Sequence, residues 1–248
     1  MNLSIVIPAH NEEDNIELTV SGLMEELGKQ GIAYEILVVD DFSTDKTGAL
    51  ADKLAQRYSA VKVLHRLPPN GFGRAVRDGL KIASGDCMAV VMGDLSDDPR
   101  DIVKCFRKIE DGYDCVFGTR FIKGSRVKDY PPLKLFINRV ANLFIQLLFL
   151  TRANDITNAF KLYRRELIRA IEPFEALYFN ITVEIPLKAI VAGYSFAQVP
   201  INWYGRKSGV SKLSIKEMGK RYLFTVLSIW FNSKFGRNKI CAKQEDKK

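Results

Sequence analysis

Three clusters of carboxylates in this sequence each follow a short apolar run: residues 12–14, the pair Asp40 and Asp41, and residues 94–98. Helix capping accounts for several of them, because Asp and Glu favour helix N-termini. It accounts less well for Asp40 and Asp41, which precede the capping segment 43–45. Two adjacent carboxylates can accept hydrogen bonds from a ribose diol and a base N–H, whereas Asp94 offers an oxygen ligand for a hard cation between two phosphates. The clusters together predict a cleft that holds a nucleotide and a metal, since packed carboxylates otherwise repel one another.

The apolar runs beside these clusters predict buried strands, because they are rich in β-branched residues and lack polar alternation. They are LSIVIP, YEILVVDD, AVKVLH, CMAVVMGD and YDCVFGTR. Helical spacing lies between them, and repeated βα units with short loops predict an α/β fold with a mostly parallel sheet and helices on both faces. Ligands of such sheets bind beyond the carboxyl ends of the strands. We therefore expect residues 8–12, 40–41, 94–98 and 119–120 to line one edge.

The chain is basic as a whole, since 37 Lys and Arg exceed 29 Asp and Glu to give a net charge of +8. This excess favours an anionic partner, which can be a phosphate, a nucleic acid or an acidic membrane face. Nucleic acid is not expected, because the predicted site edge is acidic. The four cysteines lack metal-ligand spacing, and the N-terminus lacks the cationic start of a signal peptide, so we expect reduced cysteines in a cytosolic chain.

The character of the sequence changes near Phe121. Residues 121–155 are basic, then Pro-rich, then apolar, and from Lys212 onwards Lys and Arg alternate with large apolar residues. We predict a donor half at 1–120, an acceptor half of the same catalytic domain at 121–211, and an amphipathic tail at 212–248. No apolar run approaches the ~20 residues that span a bilayer, and the nearest are 140–150 and 222–231.

Several segments, taken in order, resemble glycosyltransferase family 2. SIVIPAHNEEDNI, EILVVDDFSTDKT, NGFGRAVRDGLKIASGD and MAVVMGDLSDDP resemble its nucleotide-binding half. GTRFIKGSR, NRVANL, DITNAFKLYRRE and VPINWYGRKSGVSKL extend the resemblance to the branch of dolichol-phosphate (polyprenol-phosphate) mannosyltransferases. The resemblance covers nearly all of the chain except its tail, and it implies a Rossmann-like GT-A fold, a nucleotide diphosphate sugar as donor and inversion at the anomeric carbon.

The resemblance also assigns donor-binding residues. Pro8, His10 and Glu12 match the first donor-binding motif, with Ala9 between them. Asp40 matches the nucleotide-contacting aspartate of the family, and Asp41 lies beside it. Two glycines, Gly71 and Gly73, are expected in a mobile or tight loop near the donor phosphates.

The metal motif departs from the family pattern. Asp94 matches the second aspartate of Asp-x-Asp, whereas Met92 occupies the first position, and a thioether is a poor ligand for Mg²⁺ or Mn²⁺. Either Asp94 holds the ion together with the donor phosphates and waters, or Ser96 or Asp97 assists. We thus expect Mg²⁺ or Mn²⁺ as cofactor, with Asp94 as a catalytic residue.

A phosphate acceptor would explain why no general base is evident. Transfer to an alcohol needs such a base, whereas a phosphate with a second pKa near ~6 is already mostly dianionic at neutral pH. His65 ends a strand away from the motifs and is expected to be structural. A phosphate needs cations around it, and the candidates in the second half are Arg120, Arg126, Arg139, Arg206 and Lys212.

By resemblance, three of these cations belong to the acceptor loop region and two to the basic motif RKSGVSK. Arg120 and Arg139 are predicted to be catalytic as well, while Arg126 is equally compatible with surface charge. Asp155 and Thr157 match the Asp-x-Thr turn of the family, for which we expect a support role first and a catalytic role second. Glu184 is compatible with a paired structural acid.

Two other functions remain open at this stage. A related family 2 enzyme that uses a UDP-sugar and another cell-envelope acceptor is the nearer alternative to a GDP-mannose enzyme. An NAD(P)-dependent oxidoreductase is the alternative from another class, because GFGRAV follows an apolar strand and partly matches a dinucleotide fingerprint.

Membrane binding is expected in the absence of a spanning segment. Residues 140–150 carry a broad apolar face beside Arg139, and residues 212–231 combine basic and bulky apolar side chains, as interfacial helices do. For 140–150, packing on the catalytic domain is an equal alternative. We expect a peripheral protein on the cytoplasmic face of a membrane.

Overall fold

The computed structural model describes residues 1–205 and 215–236. Strands alternate with helices through the first half, and all five predicted strands are confirmed. The elements are β1 (Leu3–Ala9), α1 (Ile16–Lys29), β2 (Tyr34–Asp40), α2 (Thr47–Arg57), β3 (Val61–His65), α3 (Phe72–Ile82), β4 (Cys87–Val90), α4 (Pro99–Glu110) and β5 (Cys115–Thr119). As expected of a helix cap, the Asp98 carboxylate accepts the Arg100 N–H at 3.0 Å.

The second half contains shorter strands and two long helices. Its elements are β6 (Arg126–Lys128), α5 (Pro132–Phe149), β7 (Lys161–Arg164), α6 (Arg165–Ile171), α7 (Ile181–Val191), β8 (Phe196–Pro200), β9 (Asn202–Tyr204) and α8 (Ile215–Phe235). Helix α5 begins well before the apolar run 140–150, because Pro132 suits a first helical turn. Among the described helices, α5 alone is long and apolar enough to span a membrane, by length and composition only, and 11% of it is buried. The expectation that no segment approaches that length needs this correction.

A seven-stranded sheet has the order β3-β2-β1-β4-β7-β5-β8. Its pairs are parallel except those of β7, which is antiparallel to β4 and to β5. The predicted mostly parallel sheet is confirmed, but β7 is not predicted, since four residues (KLYR) carry too little periodicity. The register pairs Ala9 with Asp40, and Asp40 with His65, so the carboxyl ends of β1, β2 and β3 meet at one edge.

Two apolar cores cover the two faces of this sheet. Alternation along β1 sends Ile5 and Ile7 into a core with α1 and α4, whereas Val6 joins a core with α3 and α7. Helices on both faces are thus confirmed. Strands β7 and β8 of the predicted acceptor half belong to the same sheet as the strands of the predicted donor half.

Candidate active site

Two loops at the carboxyl edge are joined by hydrogen bonds between side chains and backbone. After β1, the Asn11 N–H donates to Ser43 Oγ at 3.0 Å, and the Glu12 N–H donates to Thr47 Oγ1 at 2.7 Å. In return, Asn11 Oδ1 accepts the Thr44 N–H at 2.8 Å. Asn11 has a φ of 53°, which asparagine tolerates better than most residues. These bonds fix the first predicted donor motif against the loop after β2.

The four predicted donor residues of this motif differ in accessibility. Pro8 and Ala9 have buried side chains within β1. His10 is half-buried, and its Nδ1 lies 2.9 Å from the Asp41 carbonyl oxygen. Glu12 is half-buried too, and its carboxylate accepts Asn15 Nδ2–H at 2.9 Å. The structure therefore places His10 and Glu12 at the predicted edge, and their contact with a donor stays a prediction.

Asp40 is held at both of its oxygens. Oδ1 accepts the Ser43 N–H at 3.1 Å, and Oδ2 lies 3.0 Å from His65 Nδ1. The other ring nitrogen of His65 lies 2.9 Å from Asp52 Oδ1. Hydrogen bonds to Asp52 and Asp40 raise the pKa of His65, because both nitrogens can donate only in the protonated ring. The interpretation of His65 as remote from the motifs is wrong, since it directly contacts Asp40.

Asp41 fastens the loop that precedes α3. Its Oδ1 accepts from Arg66 Nη1, and its Oδ2 accepts the Gly71 N–H at 2.7 Å. Arg66 also donates its Nε–H to Asp78 at 2.6 Å. Because these donors engage both oxygens of a buried carboxylate, Asp41 stabilises the loop before α3 at this edge of the sheet. Its predicted contact with a nucleoside stays a prediction.

Gly71 and Gly73 allow two backbone segments to approach closely. A Cβ on Gly71 would lie 2.5 Å from Leu177 O, and a Cβ on Gly73 would lie 2.6 Å from Ala176 O. The Gly71 N–H donates to Asp41 and the Arg74 N–H to Leu177 O, so neither can bind a pyrophosphate. This geometry argues against the oxidoreductase alternative. It gives both glycines a packing role, and their proximity to donor phosphates stays a prediction.

The segment after β4 contains the predicted metal ligand. Asp94 is buried there, and its Oδ1 accepts the Ser96 N–H at 3.1 Å. Asp97 instead directs Oδ2 to the Met92 N–H at 3.0 Å, and burial raises the pKa of Asp97 to about 7. One oxygen of Asp97 is thus engaged within its own loop.

The carboxylates near Asp94 do not form a closed metal cage. Across residues 1–205 and 215–236, no three His, Cys, Asp or Glu side chains are grouped to hold an ion. A lone carboxylate fits Mg²⁺, which is commonly bound by one or two carboxylates with substrate phosphates and waters. The metal prediction therefore depends on Asp94, with Ser96 and Asp97 as neighbours that shape its loop.

The acceptor side is built on a buried ion pair. Arg120 donates from Nε and Nη2 to the two oxygens of Asp155, both at 2.8 Å, and from its backbone N–H at 3.0 Å. Its guanidinium also lies 5.2 Å from the Phe121 ring centre and 5.4 Å from that of Tyr130. The side chains are enclosed, at 7% exposure for Arg120 and 0% for Asp155. Asp155 thus has the support role expected of it, while contact between Arg120 and an acceptor stays a prediction.

Arg139 lies next to this pair and is accessible. Its Nη1 donates to Asn154 O at 3.2 Å, and its guanidinium lies 4.6 Å from the Phe121 ring centre. Phe121 is therefore flanked by two predicted acceptor cations, Arg120 and Arg139. Arg126 is exposed in β6, which pairs with β9 in a separate two-stranded sheet. Arg206 and Lys212 lie outside the described residues.

Polar residues beneath the Asp-x-Thr turn are not predicted by the motifs. Lys161 is buried under it and donates to Ile156 O at 2.9 Å, and this burial lowers its pKa to about 7. Nothing in the segment KLYRRE distinguishes Lys161 from a surface lysine. Asn138 and Asn142 do carry a signal, because amides four residues apart are unusual in an apolar helix. Glu184 is a structural acid as suggested, paired with Lys188 at 2.8 Å.

Known proteins with similar sequences bear out the motif resemblance. Residues 4–172 match the family described as Glycosyl transferase family 2. A dolichol-phosphate mannosyltransferase of Pyrococcus furiosus is 34% identical over 219 residues, 87% of this chain and 60% of that protein. A polyprenol monophosphomannose synthase of Mycolicibacterium smegmatis is 33% identical over 216 residues, 85% of this chain and 80% of that protein. The chain thus spans only 60% of the length of the first relative.

Solved structures confirm the predicted GT-A fold class. Glucosyl-3-phosphoglycerate synthase of Mycobacterium tuberculosis, in complex with Mn²⁺, UDP-glucose and phosphoglyceric acid, has a TM-score of 0.70 at 21% identity, covering 92% of this chain and 79% of that one. The same synthase with phosphoglyceric acid has a TM-score of 0.69 at 22% identity, with the same coverage. Likeness at this level of identity concerns the fold.

Proposed function

This chain belongs to glycosyltransferase family 2, and we propose that it transfers a hexose, with mannose favoured, from a nucleotide diphosphate sugar to a polyprenyl or dolichyl phosphate. The observation that carries the proposal is the position of Arg139, an accessible cation on an exposed apolar helix beside the site. An acceptor with a phosphate at one end and a hydrocarbon chain at the other needs both features. Two relatives named for mannosyl transfer to such phosphates lend support.

The apolar surface available to a polyprenyl chain is large. Helix α5 has 18 residues, of which only Asn142 and Ile145 are buried. Helix α8 contacts α5 and exposes further large apolar side chains. The exposed large apolar residues of this α5–α8 surface are Leu133, Phe136, Ile137, Val140, Leu143, Phe144, Leu147, Leu150, Leu223, Phe224, Leu227, Phe231 and Phe235. Soluble proteins rarely expose this many large apolar side chains on two contacting helices, so we infer that the α5–α8 surface meets a membrane, on the cytoplasmic face.

The proposed reaction is a single displacement. An oxygen of the acceptor phosphate bonds to the anomeric carbon as the bond from that carbon to the nucleoside diphosphate breaks, which inverts the configuration. The phosphate is already ionised at neutral pH, so no side chain has to remove a proton. Arg139 can hold two phosphate oxygens through its forked N–H groups, and Phe121 beneath it limits its movement. Arg120, whose charge is paired with Asp155, packs against Phe121 as well.

The donor residues position the other reactant. Asp40, fixed by Ser43 and His65, faces the nucleoside in this proposal. Mg²⁺ or Mn²⁺, when bound, would be held by Asp94 with the donor phosphates and would stabilise the negative charge of the leaving diphosphate.

A transfer assay with matched donors tests the proposal. Purified protein is incubated with farnesyl phosphate, Mn²⁺ and radiolabelled GDP-mannose or UDP-glucose, and lipid-soluble label is counted. We expect label from GDP-mannose, and a rise in melting temperature with the same donor, since a ligand at 100 times its Kd adds about 2.7 kcal/mol. Label from UDP-glucose alone would favour the UDP-sugar alternative. No label from either donor would contradict transfer to prenyl phosphates.

Liposome flotation tests the membrane proposal. The protein should float with anionic vesicles, and high salt should weaken this binding by screening the basic residues. Leu147→Glu on α5 should reduce flotation, whereas Leu18→Glu on α1 should not, although both leucines are similarly exposed at 68% and 62%. A protein that remains in the soluble fraction at low salt would refute membrane binding.

A further inference from the structure

We propose that Asn142 is a positioning residue for the acceptor site, because it sets the backbone of the turn that carries Asp155. This inference rests on the proposed transfer to a phosphate acceptor. It concerns a side chain that does not itself contact the reacting atoms.

Asn142 is buried at 1% exposure in a helix whose surface is otherwise mostly accessible. A buried amide costs free energy unless its hydrogen bonds are satisfied. Asn138, Asn142 and Ile145 share one face of α5, since their spacing of four and three residues follows the helical repeat. That face packs against the protein and brings the two amides to the turn 154–157.

The hydrogen bonds of Asn142 end on consecutive backbone groups of this turn. Its Oδ1 accepts the Ile156 N–H at 2.7 Å and the Thr157 N–H at 3.4 Å. Its Nδ2 donates to Thr157 Oγ1 at 3.1 Å and to Asn138 O at 2.9 Å. Asn138 Nδ2 donates to the same Thr157 hydroxyl at 2.8 Å. The two amides thus fix the residues directly after Asp155.

The residue before Asp155 is also held by α5. Arg139 Nη1 donates to Asn154 O at 3.2 Å, so the helix contacts the chain on both sides of Asp155. Asp155 in turn binds the Arg120 guanidinium with two bonds of 2.8 Å. Displacement of the turn would therefore move Arg120 and Arg139 relative to each other. A shift of about 1 Å in a positioned group can cost roughly 100-fold in rate.

Two substitutions distinguish the role of the Asn142 acceptor oxygen from the role of the side-chain volume. Asn142→Leu keeps the size of the side chain but leaves the Ile156 N–H without its partner. We expect about a tenfold rise in KM for farnesyl phosphate, with the Kd for GDP-mannose unchanged, because a displaced turn would move Arg120 and Arg139 relative to the acceptor phosphate. Asn142→Asp retains the acceptor oxygen and should restore part of the lost affinity.

Ile145→Ala is the matched control. Ile145 is the other buried residue of α5, at 2% exposure, and it packs in the core without bonding the turn. This variant should lower the melting temperature but leave KM for farnesyl phosphate near that of the wild type. Equal rises in KM for Ile145→Ala and Asn142→Leu would overturn the inference, as would a wild-type KM in Asn142→Leu.

Amide hydrogen exchange provides a readout that does not depend on transfer. The Ile156 amide should exchange at least about ten times faster in Asn142→Leu, and near the wild-type rate in Ile145→Ala. If the wild type transfers no hexose to farnesyl phosphate, the proposed function fails while this measurement still decides the position of the turn. Unchanged protection of Ile156 in Asn142→Leu would overturn the role of Asn142.

Discussion

The donor side and the acceptor side of the site are stabilised by different interactions. On the donor side, short polar side chains bind backbone groups of neighbouring loops, as Asn11 and Asp41 do. On the acceptor side, a buried ion pair and two amides of an exposed helix fix the turn that carries Asp155. The predicted donor side thus relies mainly on loops of the first half of the chain, with one backbone contact to residues 176–178, whereas the predicted acceptor side depends on the packing of α5.

This difference makes the two sides separable by mutation. Changes on the donor side should alter nucleotide binding without affecting the acceptor. Changes around α5 should alter stability and use of the acceptor, with nucleotide binding preserved. A substitution on one side that changed both nucleotide binding and use of the acceptor would contradict this separation.

The largest effect is expected on the acceptor side, from Asp155→Asn. Arg120 would keep its charge in an enclosed site without its partner, which typically costs about 3–5 kcal/mol in the free energy of unfolding. Urea unfolding measures this loss. Asp78→Asn is the control, because Asp78 is an arginine partner exposed at 47% and Arg66 keeps Asp41. Equal losses in the two variants would show that the buried ion pair contributes no more to the free energy of unfolding than the exposed one.

On the donor side, Asp94→Asn should reduce kcat/KM by at least about 100-fold, or about 2.7 kcal/mol, because the ion loses its carboxylate ligand. The variant should also lose any gain in donor affinity that Mn²⁺ gives the wild type, as measured by calorimetry. Asp14→Asn removes an exposed acid near the same edge and should be silent. Full activity of the wild type in EDTA would exclude the metal prediction.

Gly73→Ala tests whether the donor side depends on close backbone packing. The new Cβ would lie 2.6 Å from Ala176 O, so the segment 176–178 must move, at a cost of about 1–3 kcal/mol. Gly28→Ala in α1 is the matched control. No atom lies within 4 Å of its added Cβ, and alanine in a helix should stabilise by about 0.5 kcal/mol. Thermal unfolding compares the two; a neutral Gly73→Ala would contradict the packing role.

Sequence patterns predict the donor side better than the acceptor side. The five strands of the first half are confirmed because each is a continuous apolar run, and the register of β1, β2 and β3 brings their carboxyl ends to one edge as expected. Side-chain contacts between elements that are distant in sequence are less predictable. Nothing in the sequence indicates that His65 bridges Asp40 and Asp52, because the three belong to different elements.

On the acceptor side, the motifs identify Arg120, Arg139 and Asp155 but not how they are held. The burial of Lys161 depends on β7, a strand too short to predict. The full length of α5 is likewise not evident from its apolar run, because the helix begins in a polar, Pro-rich stretch. Long-range packing determines these features, and local patterns do not report it.

Arg139 gives a sharper test of the separation between the two sides. Arg139→Ala should raise KM for farnesyl phosphate by about tenfold and leave the Kd for GDP-mannose unchanged, since one charged contact contributes about 1.5–3 kcal/mol. Arg139→Lys should recover only part of this, because lysine lacks the forked pair of donors. Steady-state kinetics and calorimetry separate the two quantities. A main defect in donor binding would place Arg139 on the wrong side of the mechanism.

The smallest effect is expected from His65, and it depends on pH. The pKa of this imidazole is raised in the folded protein by Asp52 and Asp40, from an ordinary value near ~6.5. The stabilisation is therefore fully present below the unfolded pKa and is lost as pH rises through the folded pKa. Because His65 is about half exposed (48%), solvent screening limits the effect to a few tenths of a kcal/mol.

His65→Gln should remove this pH dependence while keeping one hydrogen bond to Asp40. In the wild type, the affinity for GDP should fall modestly as pH rises above the ordinary imidazole pKa of ~6.5 and through the raised pKa of His65, because the ring loses its proton and Asp40 loses a charged partner. The variant should show a flat profile at the weaker, high-pH level. Calorimetric titrations at several pH values measure this. Identical profiles for wild type and variant would mean that Asp40 is held by Ser43 alone and that His65 has no part in the donor side.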